Sequence, residues 1–313
     1  MRVLVTGAGG FVGPYLIDAL RARGHEPHGM VRGEPGARLL ATGAAVHRAD
    51  VLAPEALRAV MATVRPEGVA HLAGISFVPD ATRDPTTAYR VNLSGTLALL
   101  DAVHAAAPTA RFLFVSSGDV YGNVMPAELP LREDSPVRPV SVYAATKAAA
   151  EIAVGQWSRA QQMDIVIARP FNHTGPGQSP SFVCSALAKQ VALIERGEQP
   201  AVLRVGDMNP IRDFSDVRDI AAGYVGLLER GRRDEVYNLC SGAGTSVADV
   251  IAILRGVARL PLAVRRDPAL YRPTEVLRIV GSAEKAQAEI GWRPERAIES
   301  TLADLVNAWR ATP

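Results

Sequence analysis

The sequence is poor in cysteine, in net charge and in long apolar runs, and each shortage excludes a class of protein. Its 313 residues contain two cysteines, Cys184 and Cys240, too few for a disulfide framework or a four-ligand zinc site. Thirty-four basic side chains against 32 acidic ones leave a net charge of +2, with no excess to coat a nucleic acid or an anionic membrane. We therefore expect no metal centre, no nucleic-acid partner and no membrane association.

No apolar run approaches the roughly 18 residues that a transmembrane helix needs. The chain opens with MRVLVTG, which is typical of a β-strand and has no signal-peptide pattern before it. We accordingly expect a cytoplasmic protein. The length corresponds to about two domains of ~150 residues, enough to bury a sizeable core.

Short β-branched segments alternate with amphipathic helical segments through the first half of the chain. This alternation is typical of βαβ units that build a parallel sheet. The predicted strands are 2–6, 28–31, 45–48, 68–72, 111–116 and 165–168. Beyond Pro170 the predicted helices are 181–196, 216–230, 247–258 and 298–310, and the predicted strands are 201–205 and 235–239. The sequence thus predicts an α/β fold with a doubly wound parallel sheet and a smaller α+β part.

A glycine-rich loop, Thr6-Gly-Ala-Gly-Gly-Phe-Val-Gly13, separates the first predicted strand from the first helix. Glycines there allow a tight turn, let backbone N–H groups approach phosphate oxygens, and let helix and strand pack closely. The loop predicts a dinucleotide cofactor bound in the Rossmann manner. Arg32 follows the second strand, where an NAD site usually offers a carboxylate, so we expect NADP, with NAD as the alternative.

Tyr143 and Lys147 are spaced i and i+4, which puts them on one face of a helix. An ammonium beside a phenol lowers its pKa from ~10 and suits it to acid–base chemistry, so we expect a lowered pKa for Tyr143. Ser116 and Ser117 close the fifth predicted strand, at the carboxyl edge where such sheets bind ligands. The spacing predicts a catalytic site at that edge.

The glycine loop, the strand-end serine, the Tyr-x-x-x-Lys pair and Asn92 in Asn-Leu-Ser-Gly-Thr96 together resemble the extended short-chain dehydrogenase/reductase family. The resemblance covers essentially the whole chain and implies a Rossmann-type NAD(P)-dependent oxidoreductase that acts on a nucleotide sugar. It implies that Ser117 binds the reacting oxygen, that Tyr143 is the acid–base group and that Lys147 holds the nicotinamide ribose. The residues expected to bind the cofactor are Gly7, Gly10, Phe11, Val12, Gly13, Arg32, Asp50, Val51, Leu72, Ala73, Gly74, Asn92, Tyr143, Lys147 and Pro170.

Within that family, several segments are similar to the GDP-4-keto-6-deoxy-mannose reductases and the GDP-mannose 4,6-dehydratases. They are 71–79, 116–122, 169–178, 212–216, 237–242 and 271–276. The dehydratases need a further carboxylate base and help for a leaving hydroxyl from the two residues after the strand-end Ser/Thr, and here these are Gly118 and Asp119. Glycine offers no functional group and aspartate is a methylene shorter than glutamate, which favours reduction of a C4 ketone. Dehydration, 4-epimerisation and a non-catalytic NADP-binding protein remain as alternatives.

The expected substrate is a GDP-linked 4-keto-6-deoxy sugar, whose diphosphate calls for cations and whose ribose or base calls for a carboxylate or amide. The residues expected to bind it are Ser117, Asp119, Asn172, Lys189, Arg212, Arg272, Glu275 and Arg278. Ala186 stands where the dehydratases carry a lysine.

The resemblance also implies a division into domains and an assembly. Residues 1–170, completed by 216–240, form the expected NADP-binding Rossmann domain, and 171–215 with 241–313 form the expected nucleotide-sugar-binding domain. Members of the family usually pair through two helices, here 91–106 and 141–161, so a homodimer is expected.

Overall fold

Strands and helices alternate along the chain in a computed structural model that describes residues 1–271 and 276–312. Up to residue 170 the elements are β1 (Arg2–Thr6), α1 (Gly13–Ala22), β2 (Glu26–Val31), α2 (Ala37–Ala41), β3 (Ala45–Arg48), α3 (Pro54–Val64), β4 (Gly68–His71), α4 (Val78–Arg83), α5 (Pro85–Tyr89), α6 (Gly95–Ala106), β5 (Arg111–Val115), α7 (Val142–Ala160) and β6 (Ile165–Pro170). A π-helical turn (Arg90–Ser94) joins α5 to α6, and a 3-10 turn (Gly118–Tyr121) follows β5. All six strands predicted for this part are present, with ends within two residues of the prediction.

The second part of the chain is built of shorter strands and four longer helices. Its elements are β7 (Asn172–Thr174), α8 (Val183–Glu195), β8 (Val202–Val205), β9 (Ile211–Asp216), α9 (Val217–Arg230), β10 (Val236–Leu239), β11 (Gly244–Ser246), α10 (Val247–Val257), β12 (Ala263–Arg266), β13 (Arg278–Ile279), α11 (Glu284–Ile290) and α12 (Ile298–Arg310). No helix of the described residues has the length and apolar character needed to cross a membrane.

Seven parallel strands form the main sheet, in the order β3-β2-β1-β4-β5-β6-β10. The strand order reverses between β1 and β4, and a crevice opens at such a reversal beyond the carboxyl ends of the strands. The predicted α/β fold with a doubly wound parallel sheet is confirmed. Its active-site crevice is therefore expected beside the glycine loop that follows β1.

Both faces of the sheet are covered by helices because its central strands are apolar on both sides. In β5, Phe112 and Phe114 pack toward α3, α6 and α7, and Leu113 packs on the opposite face with α1 and α9. The three side chains are fully buried. This packing fixes the position of β5 in the sheet and therefore the position of the serines that follow its carboxyl end.

Strand β10 comes from late in the chain and pairs in parallel with β6. The helix before it, α9, packs against α1 on the same sheet. Helix α11 lies in segment 241–313, which the sequence assigns to the smaller domain, yet Ile290 and Trp292 at its end join the core beneath α9. Distant parts of the chain thus complete the cofactor side of the molecule.

The smaller part packs beside the carboxyl edge of the main sheet. Strand β9 pairs with β7 and β13 in parallel and with β11 in antiparallel fashion. Helices α8, α10 and α12 enclose a separate apolar core with β8. This arrangement places the loops after β7 and β8, together with β9 itself, opposite the glycine loop.

Asp219 on α9 fastens the segment after α11 to the main sheet, and its loss should destabilise the whole molecule. One carboxylate oxygen accepts from the backbone N–H groups of Glu295 and Arg296, both at 2.9 Å, and the side chain is 2% exposed. Asp219→Ala would leave these part-buried backbone donors and the Arg296 guanidinium without their acceptor, so we expect a loss of roughly 2–4 kcal/mol in the free energy of unfolding, measured by urea denaturation. Asp18→Ala, at an exposed position of α1, is the control and should change it by less than about 0.5 kcal/mol. Equal stability of the two variants would contradict this role.

Candidate active site

A cleft of about 1820 Å³ lies between the carboxyl ends of the parallel strands and the smaller part of the molecule. Pockets that hold one drug-sized ligand usually measure ~300–1,000 Å³. The cleft is therefore large enough for a dinucleotide and a second ligand side by side.

The loop between β1 and α1 has the geometry of a phosphate cradle. Gly7 has a φ of +67°, and a Cβ built on it would lie 2.7 Å from the backbone nitrogen of Ala73. A Cβ on Gly13 would lie 2.1 Å from the carbonyl oxygen of Ala8, so α1 approaches β1 as closely as glycine allows. No side chain caps the N-terminus of α1, which leaves its backbone N–H groups for an anion. These features fit a bound dinucleotide.

Nearly all residues that the sequence assigned to the cofactor line this cleft. They are Gly7, Gly10, Phe11, Val12, Gly13, Arg32, Asp50, Val51, Leu72, Ala73, Gly74, Tyr143, Lys147 and Pro170. Most of them stand at or just beyond the carboxyl end of a parallel strand, and Tyr143 and Lys147 reach the same edge from α7. That these residues bind the cofactor stays a prediction.

Asn92 is the exception, because it lies beneath the cleft and not on its wall. It is 1% exposed and sits in the π-helical turn before α6. Its amide accepts from the N–H of Ile75 at 2.8 Å and donates to the carbonyl of Ile75 at 3.0 Å and to the hydroxyl of Thr146 at 2.8 Å. Its side chain ties the loop after β4 to α7, and the assignment of Asn92 as a cofactor contact stays a prediction.

His71, at the end of β4, extends this buried network toward the glycine loop. Its Nδ1 is 2.7 Å from the Thr6 hydroxyl and its Nε2 is 3.0 Å from the Thr96 hydroxyl. Thr96 donates to the carbonyl of Asn92, so the Thr96 oxygen accepts from Nε2–H and His71 is neutral. Burial, aided by the charge of Lys147, lowers the pKa of His71 to about 3. The network thus stays uncharged across the physiological range.

Ser117, Tyr143 and Lys147 meet at the carboxyl end of β5. Ser141 caps α7 by accepting from the N–H of Ala144 at 3.2 Å, which starts the helix two residues before Tyr143. Tyr143 and Ser117 both line the cleft there, and Lys147 Nζ donates to the carbonyl of Val115 at 2.8 Å. A hydroxyl pair suited to one reacting oxygen therefore faces the cleft.

The electrostatics of Tyr143 differ from the expectation drawn from its spacing to Lys147. Burial and the charge of Asp119 raise the pKa of Tyr143, and the hydrogen bond with Ser117 lowers it only in part. The expected lowering by the Lys147 ammonium is wrong for this structure, because desolvation dominates. Tyr143 thus keeps its proton at neutral pH and is available as a donor.

Asp119 and Arg212 face each other across the same part of the cleft. Burial raises the pKa of Asp119 while Arg212 opposes the shift, and burial lowers the pKa of Arg212 while Asp119 opposes it. Arg212 is held by the carbonyls of Ile211 at 3.0 Å and Val276 at 2.9 Å. A positioned cation therefore lies near the two hydroxyl groups.

The substrate residues expected from the sequence divide into three groups. Ser117, Asp119, Asn172 and Arg212 line the cleft. Lys189 and Arg278 do not: Lys189 Nζ lies over the Trp309 ring at 5.2 Å from its centroid, and Arg278 is exposed on β13. The structure does not bring these two residues to the cleft, and their assignment as substrate contacts stays a prediction, while Arg272 and Glu275 lie outside the described residues.

Sequence reasoning missed Gln190 and Arg204, which line the cleft next to Asp207. Gln190 accepts from the N–H of Arg204 at 2.8 Å and donates to its carbonyl at 3.0 Å. Arg204 Nε donates to Asp267 at 2.8 Å. The different orientations of Lys189 and Gln190 could have been predicted in part from the sequence. Positions 184, 187, 188 and 191 form the apolar face of α8, and consecutive residues of a helix are rotated by about 100°. This face turns Lys189 toward α12.

Known proteins resemble this chain over nearly its whole length. A family model described as GDP-mannose 4,6 dehydratase matches residues 4–305. The chain belongs to this family. The GDP-6-deoxy-D-mannose reductase of Pseudomonas aeruginosa is similar to it, with 39% identity over 310 residues that cover 99% of this chain and 97% of the relative.

Two solved structures of similar proteins share the fold of this chain. RMD from Pseudomonas aeruginosa, complexed with NADPH, has a TM-score of 0.89 and 37% identity, and the match covers 99% of each chain. The UDP-glucose 4-epimerase of Thermus thermophilus, complexed with NAD, has a TM-score of 0.89 and 30% identity over 100% of each chain. These similarities confirm the resemblance seen in the motifs and identify the chain as an NAD(P)-dependent oxidoreductase-type enzyme.

Gly7→Ala should damage both the fold and the binding of a nicotinamide dinucleotide. A Cβ there meets the backbone of Ala73, and a non-glycine residue at this positive φ costs about 1–2 kcal/mol. We expect a lower melting temperature and at least tenfold weaker binding, measured by thermal unfolding and by quenching of tryptophan fluorescence. Gly33→Ala is the matched control, since Gly33 lines the same cleft and its Cβ would meet nothing within 4 Å. Normal binding by Gly7→Ala would argue against the cradle.

Proposed function

We propose that this enzyme uses NADPH to reduce the C4 ketone of GDP-4-keto-6-deoxy-D-mannose to a GDP-6-deoxyhexose such as GDP-D-rhamnose. The observation that carries the proposal is the packing at Gly118, beside Ser117. A Cβ at this position would lie 3.0 Å from ring carbons of Phe171, so a functional side chain does not fit there without moving the ring. Reduction needs no group at that position, and the 39% identity with a GDP-6-deoxy-D-mannose reductase supports the same activity.

The cofactor fits the glycine loop, whose backbone N–H groups would hold the pyrophosphate at the N-terminus of α1. Arg32 is exposed at the end of β2, where a 2′-phosphate would meet it, which supports NADP over NAD. Bound there, NADPH supplies the hydride for the ketone carbon. The chain itself supplies the binding, the orientation and the proton.

Tyr143 is the proposed proton donor to the oxygen of the C4 carbonyl. Its phenol is buried and neutral at working pH, because burial and the charge of Asp119 raise its pKa. Ser117, which lines the cleft with Tyr143, would donate to the same oxygen and stabilise the developing alkoxide. Arg212 and Asn172 line the cleft beyond these hydroxyl groups and are the proposed contacts of the diphosphate.

Dehydration of GDP-mannose is the second candidate, favoured by the family description and by the carboxyl group of Asp119 in the cleft. That reaction must remove the C5 proton and expel the C6 hydroxyl, so it needs a base with sufficient reach and a second polar group. Asp119 is shorter than the usual glutamate, and Gly118 carries no side chain that could serve as the second group. This geometry ranks reduction first.

A homodimer through α6 and α7 remains part of the proposal. Ile152 on α7 is 75% exposed, and its helix face continues with the small side chains of Ala145 and Ala149. An exposed apolar side chain among alanines favours a helix-to-helix contact. The face lies opposite Tyr143 and Lys147, so pairing there would leave the cleft open.

The activity is tested by incubating the protein with NADPH and GDP-4-keto-6-deoxy-D-mannose and following absorbance at the NADPH band. We expect oxidation of NADPH, reduced at least 100-fold in Tyr143→Phe because that variant has no phenolic proton to give. Tyr89→Phe, 40% exposed on α5, is the control and should retain the wild-type rate. Unchanged turnover in Tyr143→Phe, or water loss from GDP-mannose without NADPH oxidation, would overturn the proposal.

The choice of nicotinamide is tested separately by Arg32→Ala. Loss of the guanidinium should weaken binding of NADPH at least tenfold and leave binding of NADH within about threefold, because only NADPH carries the 2′-phosphate. Isothermal titration of both dinucleotides measures the ratio. Arg23→Ala, at an exposed position paired with Glu229, should leave both affinities unchanged. An unaltered NADPH to NADH ratio in Arg32→Ala would remove Arg32 from the site.

A further inference from the structure

A buried ion pair lies directly behind the catalytic groups and has no part in the reaction described so far. Arg169, on β6, donates from Nη2 to Glu151 Oε2 at 2.7 Å and from Nε to both carboxylate oxygens at 3.1 and 3.2 Å. The side chains are 6% and 8% exposed. A buried pair of this kind often adds little to stability, so its role must be sought in what it touches.

Arg169 is itself held from the far side, which makes the carboxylate immobile. Its Nη1 donates to the Tyr121 hydroxyl at 2.9 Å, and Tyr121 donates to the Asn238 side chain on β10 at 2.7 Å. The guanidinium also lies over the Tyr121 ring, 4.9 Å from its centroid. The position of Glu151 is therefore set by β6, by β10 and by the 3-10 turn after β5, and not by α7 alone.

Glu151 stands one helical turn after Lys147, as Lys147 stands one turn after Tyr143. Residues spaced by four lie on one face of a helix, so the three side chains form a single row. The end of β5 binds both charged members: Val115 accepts from Lys147 Nζ at 2.8 Å, and the neighbouring Ser116 hydroxyl donates to Glu151. The carboxylate and the ammonium are thus anchored to adjacent residues.

Burial costs the Lys147 ammonium its hydration, and the surrounding groups decide whether it stays charged. Burial lowers the pKa of Lys147 to about 8, and the charge of Glu151 acts in the opposite direction. The groups that face it from the elements packed around it are Glu151 and Tyr143 on α7, His71 on β4, the Phe114 ring and the Val115 carbonyl on β5, and, through Glu151, Arg169 on β6. His71 is neutral, so Glu151 supplies the negative charge that acts on Lys147.

We propose that Glu151 is a positioning residue of this enzyme: its carboxylate, clamped by Arg169 and Ser116, keeps the buried Lys147 ammonium charged beside Tyr143. The clamp matters because a carboxylate free to rotate would be drawn into a direct pair with Lys147 and would pull the ammonium away from the cleft. Among the described residues Glu151 forms no hydrogen bond or ion pair with Lys147, so its charge acts on the ammonium from one helical turn away and leaves Lys147 available on the cleft side. The activity readout of this proposal rests on the proposed reduction, but the ionisation of Lys147 does not.

The chain offers a direct test because it contains three lysines, Lys147, Lys189 and Lys285. In protein labelled with ¹³C at the lysine ε-carbon, each ammonium gives its own signal, and Lys189→Arg and Lys285→Arg assign the remaining one to Lys147. In the wild type we expect Lys147 to be an ammonium at pH 7 and to lose its proton near pH 8. A signal already deprotonated at pH 7 in the wild-type protein would overturn the proposal without any variant at Glu151.

Glu151→Gln should lower the titration midpoint of Lys147 by at least one pH unit, a tenfold fall in the ratio of ammonium to amine. The sign follows from the charge, since removal of the carboxylate removes the influence that raises the pKa of Lys147. Because an unpaired buried Arg169 can prevent folding, Glu151→Gln combined with Arg169→Gln is the second variant; it removes both charges of the pair, so the midpoint should fall in the same direction but by less than in Glu151→Gln. Glu133→Gln is the matched control: Glu133 accepts from the backbone of Asn238 at 2.8 Å, on the far side of the same network.

The alkaline limb of the pH profile of kcat/KM for NADPH oxidation should move to lower pH by the same amount, while Glu133→Gln leaves it in place. A midpoint for Lys147 within 0.3 units of the wild type in both Glu151 variants would overturn the proposal. If the midpoint moves but no 4-keto sugar is reduced by the wild type, the reduction fails and the role of Glu151 in charging Lys147 stands. The two failures are therefore distinguishable.

Discussion

The parallel register of the main sheet is the constraint on which the site depends. In a parallel sheet every strand ends at the same edge, so residues far apart in the chain are brought together just beyond it. Here that edge gathers the glycine loop after β1, Arg32 after β2, the loop after β4 and the two serines after β5. Strand β10, contributed from residues 236–239, widens the sheet behind β6 and carries the Asn238 side chain that holds Tyr121.

Burial then determines the chemistry of the groups at this edge. The same loss of hydration raises the pKa of Tyr143, lowers that of Lys147 and keeps His71 neutral. A phenol that retains its proton suits the reduction of a ketone, where a proton must be delivered. The network that runs from Thr6 through His71 and Asn92 to Thr146, which donates to the carbonyl of Tyr143 at 2.7 Å, positions the helix without adding charge.

Much of this arrangement could be predicted from the sequence, because periodicity and strand-end motifs are local signals. Such local signals predicted the six strands of the first half, the glycine loop and the Tyr143–Lys147 pair. The glycine loop and this pair line the same cleft. The sequence was less informative about the orientation of side chains, which depends on tertiary packing. Lys189 and Gln190 are neighbours in the chain, yet the core of α8 turns one toward Trp309 and the other toward the cleft.

The contacts of the Asn92 side chain likewise could not be predicted from the sequence. A motif marks it as functional, but the π-helical turn that carries it directs its amide into the backbone of Ile75, beneath the cofactor site. The ionisation of Tyr143 depends on how deeply the side chain is buried, which its spacing to Lys147 does not reveal. Neither the pairing of Glu151 with Arg169 nor the lack of space at Gly118 can be read from the order of residues, since each depends on contacts between distant segments.

The central claim, hydride transfer to C4 of a GDP-linked ketosugar, is tested most directly by isotope labelling. NADPH carrying deuterium at the transferable position of its nicotinamide is incubated with the protein and GDP-4-keto-6-deoxy-D-mannose, and the sugar product is examined by mass spectrometry and proton NMR. The account predicts a product one mass unit heavier than that made with ordinary NADPH, with the deuterium on C4. Deuterium at another carbon, or a sugar product without deuterium, would contradict it.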